Sequence, residues 1–92
     1  MFLHLGGSLV IPIRDVIAIL DMATKEESKA TDEFLKVARE EGLLQDLSAG
    51  KATSFVVTSQ KVYLSAISSL TLRRRALFPG EVAPIDPGGE KG

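Results

Sequence analysis

Residues 54–75 read SFVVTSQKVYLSAISSLTLRRR and predict a β-hairpin that continues into a short helix. β-Branched and aromatic residues fill both strands, and residues 59–60 supply the expected turn. Ser68 or Ser69 can cap the final helix, which we expect over residues 70–75. Around this unit we predict an α/β (α+β) domain with a small, mostly antiparallel sheet, one main helix and a short C-terminal helix.

Both faces of this hairpin carry apolar side chains. Successive side chains of a strand point to opposite faces, and Phe55 lies on one face. Val56 and Tyr63 fall on the opposite face, whose other residues are polar. A sheet that is partly apolar on both faces has to be covered on both, by helices, by neighbouring subunits or by both. Val56 and Tyr63 are therefore candidate subunit contacts.

The N-terminal region predicts a second hairpin. Residues 2–5 and 8–11 are short apolar runs separated by a pair of glycines, which is a typical turn signal. Pro12 cannot donate to a sheet ladder, so the second strand ends there or lies at an edge. Residues 15–20 are rich in β-branched side chains, which favours a third strand over one helical turn.

The main helix is expected over residues 26–41. Ser28 or Thr31 can cap its N-terminus, and Gly42 suits the left-handed position that follows a helix. One apolar stripe should face the core, and its members are Phe34, Leu35 and Ala38. The two leucines after the glycine should return the chain to the core.

Length and composition favour a single small domain. The chain has 92 residues and no cysteine, which excludes disulfides and zinc–cysteine sites. Residues 77–92 are rich in proline and glycine and predict a disordered tail, so residues 1–76 form the folding unit. A unit of that size is marginally stable alone, and the mean hydropathy of +0.16 is high. We therefore expect some apolar surface to face other copies of the chain.

The sequence nominates no catalytic, metal or cofactor site. His4 is the only histidine, and no nucleophile or carboxylate is spaced to form a triad with it. Residues 6–8 read GGS, but neither a Walker loop nor a dinucleotide fingerprint follows. The apolar start of the chain is interrupted by glycine, proline and charge. It therefore predicts no membrane span and no signal peptide, and a cytoplasmic location is the default.

Charge is sorted along the chain although the net charge is only −1. Residues 21–46 hold eight acids and four bases, whereas residues 47–76 hold five bases and no acid. Such sorting indicates two different faces. The five bases are Lys51, Lys61, Arg73, Arg74 and Arg75.

The basic residues are the remaining functional candidates, and each has a plainer alternative. Arg73, Arg74 and Arg75 point about 100° apart around a helix, so they either embrace a phosphate backbone or complement the helix dipole. Lys51 follows a loop glycine and is either a phosphate contact or an ordinary solvated lysine. Arg14 is either a contact or the local partner of the aspartate that follows it.

Several segments together resemble a known family. The chain resembles the RemA/RemB family of bacterial extracellular-matrix (biofilm) regulators, and it is more similar to the RemB-like branch. The resemblance covers nearly all of the folding unit, up to residue 75. It is carried by LGG at 5–7, RDVIAIL at 14–20, FLKVAREEGLLQDL at 34–47 and VVTSQKVYLSAISSLTLRRR at 56–75.

The resemblance implies a DNA-binding transcription regulator that assembles into a ring-like homo-oligomer. In the RemA-like branch, an arginine after the second strand and an arginine pair after the loop glycine are the positions that contact DNA. The first corresponds to Arg14, and the pair falls on Lys51 and Ala52. Lysine keeps a charge for phosphate but loses the bidentate fork of arginine, and alanine keeps neither.

Two functions remain open at this point. In the first, many copies present Arg14 and Lys51 to the phosphate backbone of double-stranded DNA, with the arginine triplet as secondary contacts. In the second, the chain keeps the fold and the assembly but has lost DNA binding. It would then act as a structural or interaction module, with another regulator protein as a possible partner. Ala52 and the negative net charge favour this second function.

Overall fold

The computed structural model describes residues 1–78, which form an α+β fold with six strands and three α-helices. The predicted tail lies outside the described residues except for Leu77, which ends the last helix, and Phe78. No helix in the described part has the length and apolarity that a bilayer span requires. The elements are β1 (Phe2–Gly6), β2 (Leu9–Pro12), β3 (Val16–Asp21), α1 (Thr24–Glu27), α2 (Lys29–Glu40), β4 (Leu44–Asp46), β5 (Ser54–Thr58), β6 (Val62–Ser65) and α3 (Ser69–Leu77).

Strands β1 and β2 form the predicted N-terminal hairpin. Gly6 and Gly7 have φ angles of 123° and 57°, which side chains other than glycine rarely adopt. The ring of His4 is hydrogen-bonded to the carbonyl of Gly7 at 2.9 Å, so the histidine supports the turn. Strand β2 ends at Pro12, as predicted, and a 3₁₀ turn leads into β3.

The central sheet has four strands in the order β3-β5-β6-β4. The predicted hairpin of β5 and β6 is confirmed, and β3 pairs antiparallel with β5 from Val16 opposite Thr58 to Asp21 opposite Ser54. Strand β4 was not predicted, and it pairs with β6 in parallel. The sheet is therefore mixed rather than purely antiparallel.

Helix α2 covers one face of this sheet. Its buried residues pack against side chains of β5 and β6 that alternate toward the helix. The cluster contains Leu35, Ala38, Phe55, Val62 and Leu64. Burial of this face holds α2 to the sheet, because apolar area removed from water contributes about 25 cal/mol per Å².

The N-terminal hairpin and α3 cover the opposite face. This second cluster contains Leu3, Leu5, Ile11, Val56, Ile67 and Leu72, and Tyr63 packs at its margin. Val56 is 0% exposed within one chain, so the prediction that it contacts another subunit is wrong. The apolar second face of the hairpin is explained by intrachain packing.

Two buried serines join the central sheet to the elements that cover this second face. The hydroxyl of Ser54 donates to the carbonyl of Ile67 at 2.6 Å, and that of Ser65 donates to the carbonyl of Leu5 at 2.6 Å. Both serines are fully buried. A buried hydroxyl is tolerated only when it is hydrogen-bonded, so these bonds fix how the hairpin and α3 sit on the sheet.

The predicted main helix is divided at Ser28. Its backbone is extended, and its hydroxyl accepts a hydrogen bond from the amide of Thr31 at 3.2 Å, so Ser28 is the cap of α2. The residues before it form the separate short helix α1. Gly42 follows α2 with a φ angle of 76°, as predicted. Phe34 does not face the core with the rest of its stripe, because its side chain is 42% exposed.

Replacement of Val56 by alanine should lower the free energy of unfolding by about 2 kcal/mol, because it removes buried methyl groups and leaves a cavity. The matched control is Val10→Ala, a strand valine that is 48% exposed. It should change the free energy of unfolding by less than about 0.5 kcal/mol. Urea denaturation measures both values, and equal losses would contradict the assignment of Val56 to an intrachain core.

Candidate nucleic-acid interface

Arg14 lies in the 3₁₀ turn between β2 and β3. The amide of Ile13 donates to the carbonyl of Met1 at 3.0 Å, which closes the open end of the hairpin beneath the arginine. The side chain of Arg14 is exposed and borders a shallow apolar cleft formed with Phe2 and Pro12. Within residues 1–78 no ion pair joins Arg14 to Asp15, so the guanidinium is available to an external anion.

Lys51 ends a tight loop that is held by Asp46. The carboxylate of Asp46 accepts hydrogen bonds from the amide of Ser48 at 2.8 Å, from the hydroxyl of the same serine, and from the amide of Gly50 at 3.1 Å. Ala49 and Gly50 both have positive φ angles, 56° and 85°. The hydrogen bonds from Asp46 stabilise this unusual backbone, which positions Lys51.

Two backbone amides at the end of this loop are engaged within the loop. The backbone amide of Lys51 already donates to the hydroxyl of Ser48 at 3.1 Å, and the amide of Gly50 is bound to Asp46. These two amides are therefore not available to an anion. The Lys51 ammonium is exposed at the end of this ordered loop.

Asp46 keeps a negative charge in the same loop. The hydroxyl and amide of Ser48 hold the pKa of the Asp46 carboxyl below its ordinary value, and the amide of Gly50 and the charge of Arg39 act in the same direction. The carboxylate is therefore ionised at neutral pH. Any anion that approaches Lys51 also meets this carboxylate, which weakens the local positive potential.

Ala52 occupies the position at which the family resemblance implies a second basic residue. Its side chain is half-buried and packs against the cluster under α2. Apolar packing thus takes the place of the charge that the resemblance implies at this position. Lys51 is left as the one cation at the end of this loop.

The sheet separates the two main candidates. Arg14 precedes Val16, which pairs with Thr58 at one end of β5, whereas Lys51 precedes Ser54 at the other end. Strand β5 alone spans roughly 13 Å at about 3.3 Å per residue. One subunit therefore presents two separate cationic points rather than a single basic patch.

The arginine triplet does not act as one group. The guanidinium of Arg73 reaches the carbonyl of Ile19 on β3, with Nη2 at 3.1 Å and Nε at 3.4 Å. This side chain therefore links α3 to β3. Arg74 is exposed and Arg75 is half-buried. All three lie toward the C-terminal end of α3, where positive charge complements the helix dipole.

The loop contacts of Asp46 and Ser48 were missed by the sequence reasoning. The signal was present in the run Asp-Leu-Ser-Ala-Gly, because an aspartate two residues before a serine favours a local side-chain turn. No group of three or more metal-ligating side chains occurs in residues 1–78. The described chemistry is that of exposed cations held on ordered turns.

The chain is similar to known regulatory proteins over its whole folded part. A family model described as RemA-like, extracellular matrix regulatory protein A-like, matches residues 2–76. The extracellular matrix regulatory protein B of Bacillus subtilis (strain 168) is 37% identical over 82 residues, which is 89% of this chain and 98% of that protein. Both similarities span the turns that hold Arg14 and Lys51.

Replacement of Asp46 by asparagine should lower thermal stability at neutral pH, because the amide cannot accept at both positions that hold the loop. The depressed pKa of Asp46 means that its stabilisation is complete above the ordinary carboxyl pKa and is lost as the pH falls through the lower, folded-state value. The gap in melting temperature between wild type and Asp46→Asn should therefore shrink in acid. Scanning calorimetry at pH 7 and near pH 2.5 measures it, and a constant gap would contradict the role of the ionised carboxylate.

Proposed function

The chain belongs to the RemA-like family of extracellular matrix regulatory proteins, and on this premise we propose that it regulates extracellular-matrix genes by binding double-stranded DNA as a homo-oligomer. The observation that supports DNA contact is the pair of exposed cations, Arg14 and Lys51, each held on a hydrogen-bonded turn. Such a regulator would act in the cytoplasm, on the nucleoid. The family is one of regulatory proteins and not of enzymes.

In this proposal, Arg14 and Lys51 contact phosphates rather than bases. They lie at opposite ends of β5. The length of this strand is comparable to the width of the major groove, which is about 12 Å. Two phosphates that flank one groove therefore suit their separation. Each contact releases counterions, so the affinity should fall steeply with salt.

One subunit offers too few contacts to bind DNA strongly, so the proposal includes self-assembly. A ring-like homo-oligomer repeats Arg14 and Lys51, and the contacts add through effective concentration. Exposed apolar side chains support association, because they are many for a chain of this length. Those in the described part are Met1, Phe2, Val10, Ile17, Phe34, Val37, Leu43, Leu70, Leu77 and Phe78.

Recognition of sequence should rest on DNA shape and the backbone. The charges of helix α2 balance, so it presents no net positive charge to phosphate. Its acids are Asp32, Glu33 and Glu40, and its bases are Lys29, Lys36 and Arg39. In α3 the side chain of Arg73 is already bound to a backbone carbonyl. The arginine triplet therefore stands as a set of secondary phosphate contacts in this proposal, and no element offers a row of base-reading side chains.

Replacement of Arg14 and Lys51 together by alanine should weaken DNA binding by at least tenfold at 50 mM salt, because one assembly loses many phosphate contacts at once. The slope of log affinity against log salt should become shallower in the same variant. Fluorescence anisotropy with a labelled duplex at several salt concentrations measures both quantities.

The matched control is Lys29→Ala, which removes an exposed lysine at the start of α2. It should leave the affinity within about twofold of wild type. If wild type fails to bind DNA at low salt, or if the double alanine variant binds as wild type does, DNA binding through these residues is excluded. Co-purification of a protein partner would then support the interaction module that has lost DNA binding.

Self-assembly is measured separately from DNA binding. Light scattering on the wild-type chain should give a mass several times the 9.9 kDa of one subunit at micromolar concentration. A stable 9.9 kDa species would contradict the assembly whatever the outcome with DNA.

A further inference from the structure

The turn between β5 and β6 holds the backbone of Lys61 in place. The hydroxyl of Thr58 accepts hydrogen bonds from the amide of Gln60 at 3.3 Å and from the amide of Lys61 at 2.9 Å. The same hydroxyl donates to the carbonyl of Lys61 at 2.7 Å, and this carbonyl also accepts from the amide of Thr58 at 2.9 Å. One hydroxyl thus fills its donor and both acceptor positions, and both backbone polar groups of Lys61 are engaged.

The side chain of Lys61 leaves this ordered turn as an exposed ammonium. Within residues 1–78 no carboxylate forms an ion pair with it and no hydrogen bond engages it. Lys61 is the charged residue that lines the groove between this turn and α2. The loop of Lys51 differs, because it contains the ionised carboxylate of Asp46. An anion therefore meets less opposing charge in the turn of Lys61.

Lys61 lies at the same end of the sheet as Arg14. Val16 follows Arg14 by two residues and pairs with Thr58. The backbone hydrogen bond between Thr58 and Lys61 places these two residues opposite each other. These links limit the distance between the Cα atoms of Arg14 and Lys61 to about 18 Å. The end of the sheet that carries Arg14 therefore carries a second exposed cation.

One acid also lies at this end of the sheet. Asp15 lines a small cleft together with Ser59 and Gln60. Its side chain is half-buried, whereas those of Arg14 and Lys61 are exposed. Two exposed cations thus face solvent beside one partly covered carboxylate, and the local charge that a polyanion meets is positive.

We infer that Lys61 is a further phosphate contact on the surface that includes Arg14, and that the hydroxyl of Thr58 positions it. The inference rests on the DNA binding proposed above and adds a residue to it. Each strand of DNA carries a charge about every 3.4 Å along the helix axis, so its phosphates are dense enough to meet both cations at once. Because the turn is already ordered, only the side chain of Lys61 loses freedom when a phosphate binds.

A lysine in this position adds affinity and little discrimination between sequences. Its ammonium is a point charge without the bidentate fork that arginine offers to a guanine or a phosphate. The contact should therefore contribute equally on any duplex. This agrees with recognition through the backbone and shape of DNA, and it raises the number of strong cationic points in each subunit from two to three.

Replacement of Lys61 by glutamine removes the charge and keeps much of the length of the side chain. It should weaken binding to a labelled duplex about fivefold or more at 50 mM salt. The slope of log affinity against log salt should become shallower by about 0.9 for each copy in contact with the duplex. A second duplex of unrelated sequence should show the same loss. Fluorescence anisotropy at several salt concentrations measures all three results.

Two variants serve as controls for the charge of Lys61. Lys61→Arg keeps a cation at the same position and should bind within about twofold of wild type. Lys29→Gln makes the same loss of charge at an exposed lysine at the start of α2, away from this end of the sheet, and should also bind as wild type does. An equal loss in Lys29→Gln and Lys61→Gln would mean that only the total charge matters, and it would overturn the inference.

Thr58 is tested as a positioning residue by a matched pair of variants. Thr58→Val removes the hydroxyl at nearly constant volume, whereas Thr58→Ser keeps it. The valine variant should bind DNA about two- to threefold more weakly with an unchanged salt slope, because the charge of Lys61 remains and only its turn is loosened. The serine variant should bind as wild type does. Circular dichroism at the assay temperature checks that both variants fold, and the test of Lys61 does not depend on them.

The outcomes separate this contact from the function on which it rests. A wild-type chain that does not bind DNA contradicts the proposed function and this inference together. A loss of binding in the variant without Arg14 and Lys51, with none in Lys61→Gln, contradicts this inference alone. Light scattering should give Lys61→Gln the mass of wild type. A variant that no longer assembles would make Lys61 a subunit contact, which also overturns the inference. Wild-type affinity in Thr58→Val contradicts the positioning role of Thr58.

Discussion

The fold depends on the burial of both faces of the β5–β6 hairpin. Phe55 and Val56 are neighbours in sequence and point to opposite sides of the sheet, yet each is almost fully buried within one chain. One side requires α2, and the other requires the N-terminal hairpin and α3. A chain of this length therefore uses every helix longer than one turn to cover its sheet. Little apolar material is left over to shield the outer sides of those helices.

Local signals were sufficient to predict much of the fold. Both hairpins, the end of β2 at Pro12 and the left-handed Gly42 follow from turn chemistry that acts over a few residues. Strand β4 has only three residues and is stabilised by parallel pairing with β6, which no local pattern specifies. The break at Ser28 shows that a cap can divide a segment whose pattern predicts one helix. The outward position of Phe34 follows from tertiary packing and not from spacing.

The charged residues of the candidate site were predictable from the sequence, whereas the hydrogen bonds that hold them in place were not. The exposure of Arg14 and Lys51 follows from their residue types and their loops. That the backbone amides of Gly50 and Lys51 are already occupied depends on the conformation of the loop, so the sequence alone could not reveal it. The partner of Arg73 is a carbonyl 54 residues earlier in the chain, and such a contact is fixed only by the final fold.

That same contact between Arg73 and Ile19 bears on aggregation. Strand β3 pairs only with β5 in the described part of the chain, so its other edge is a template on which a foreign strand can add. The exposed side chain of Ile17 makes this edge attractive to apolar strands. The guanidinium of Arg73 donates to a backbone carbonyl in the middle of β3, so that carbonyl is not free to pair with another strand. The guanidinium also places a positive charge at this edge. Arg73 thus protects this edge of the sheet against the growth of fibres from an open strand.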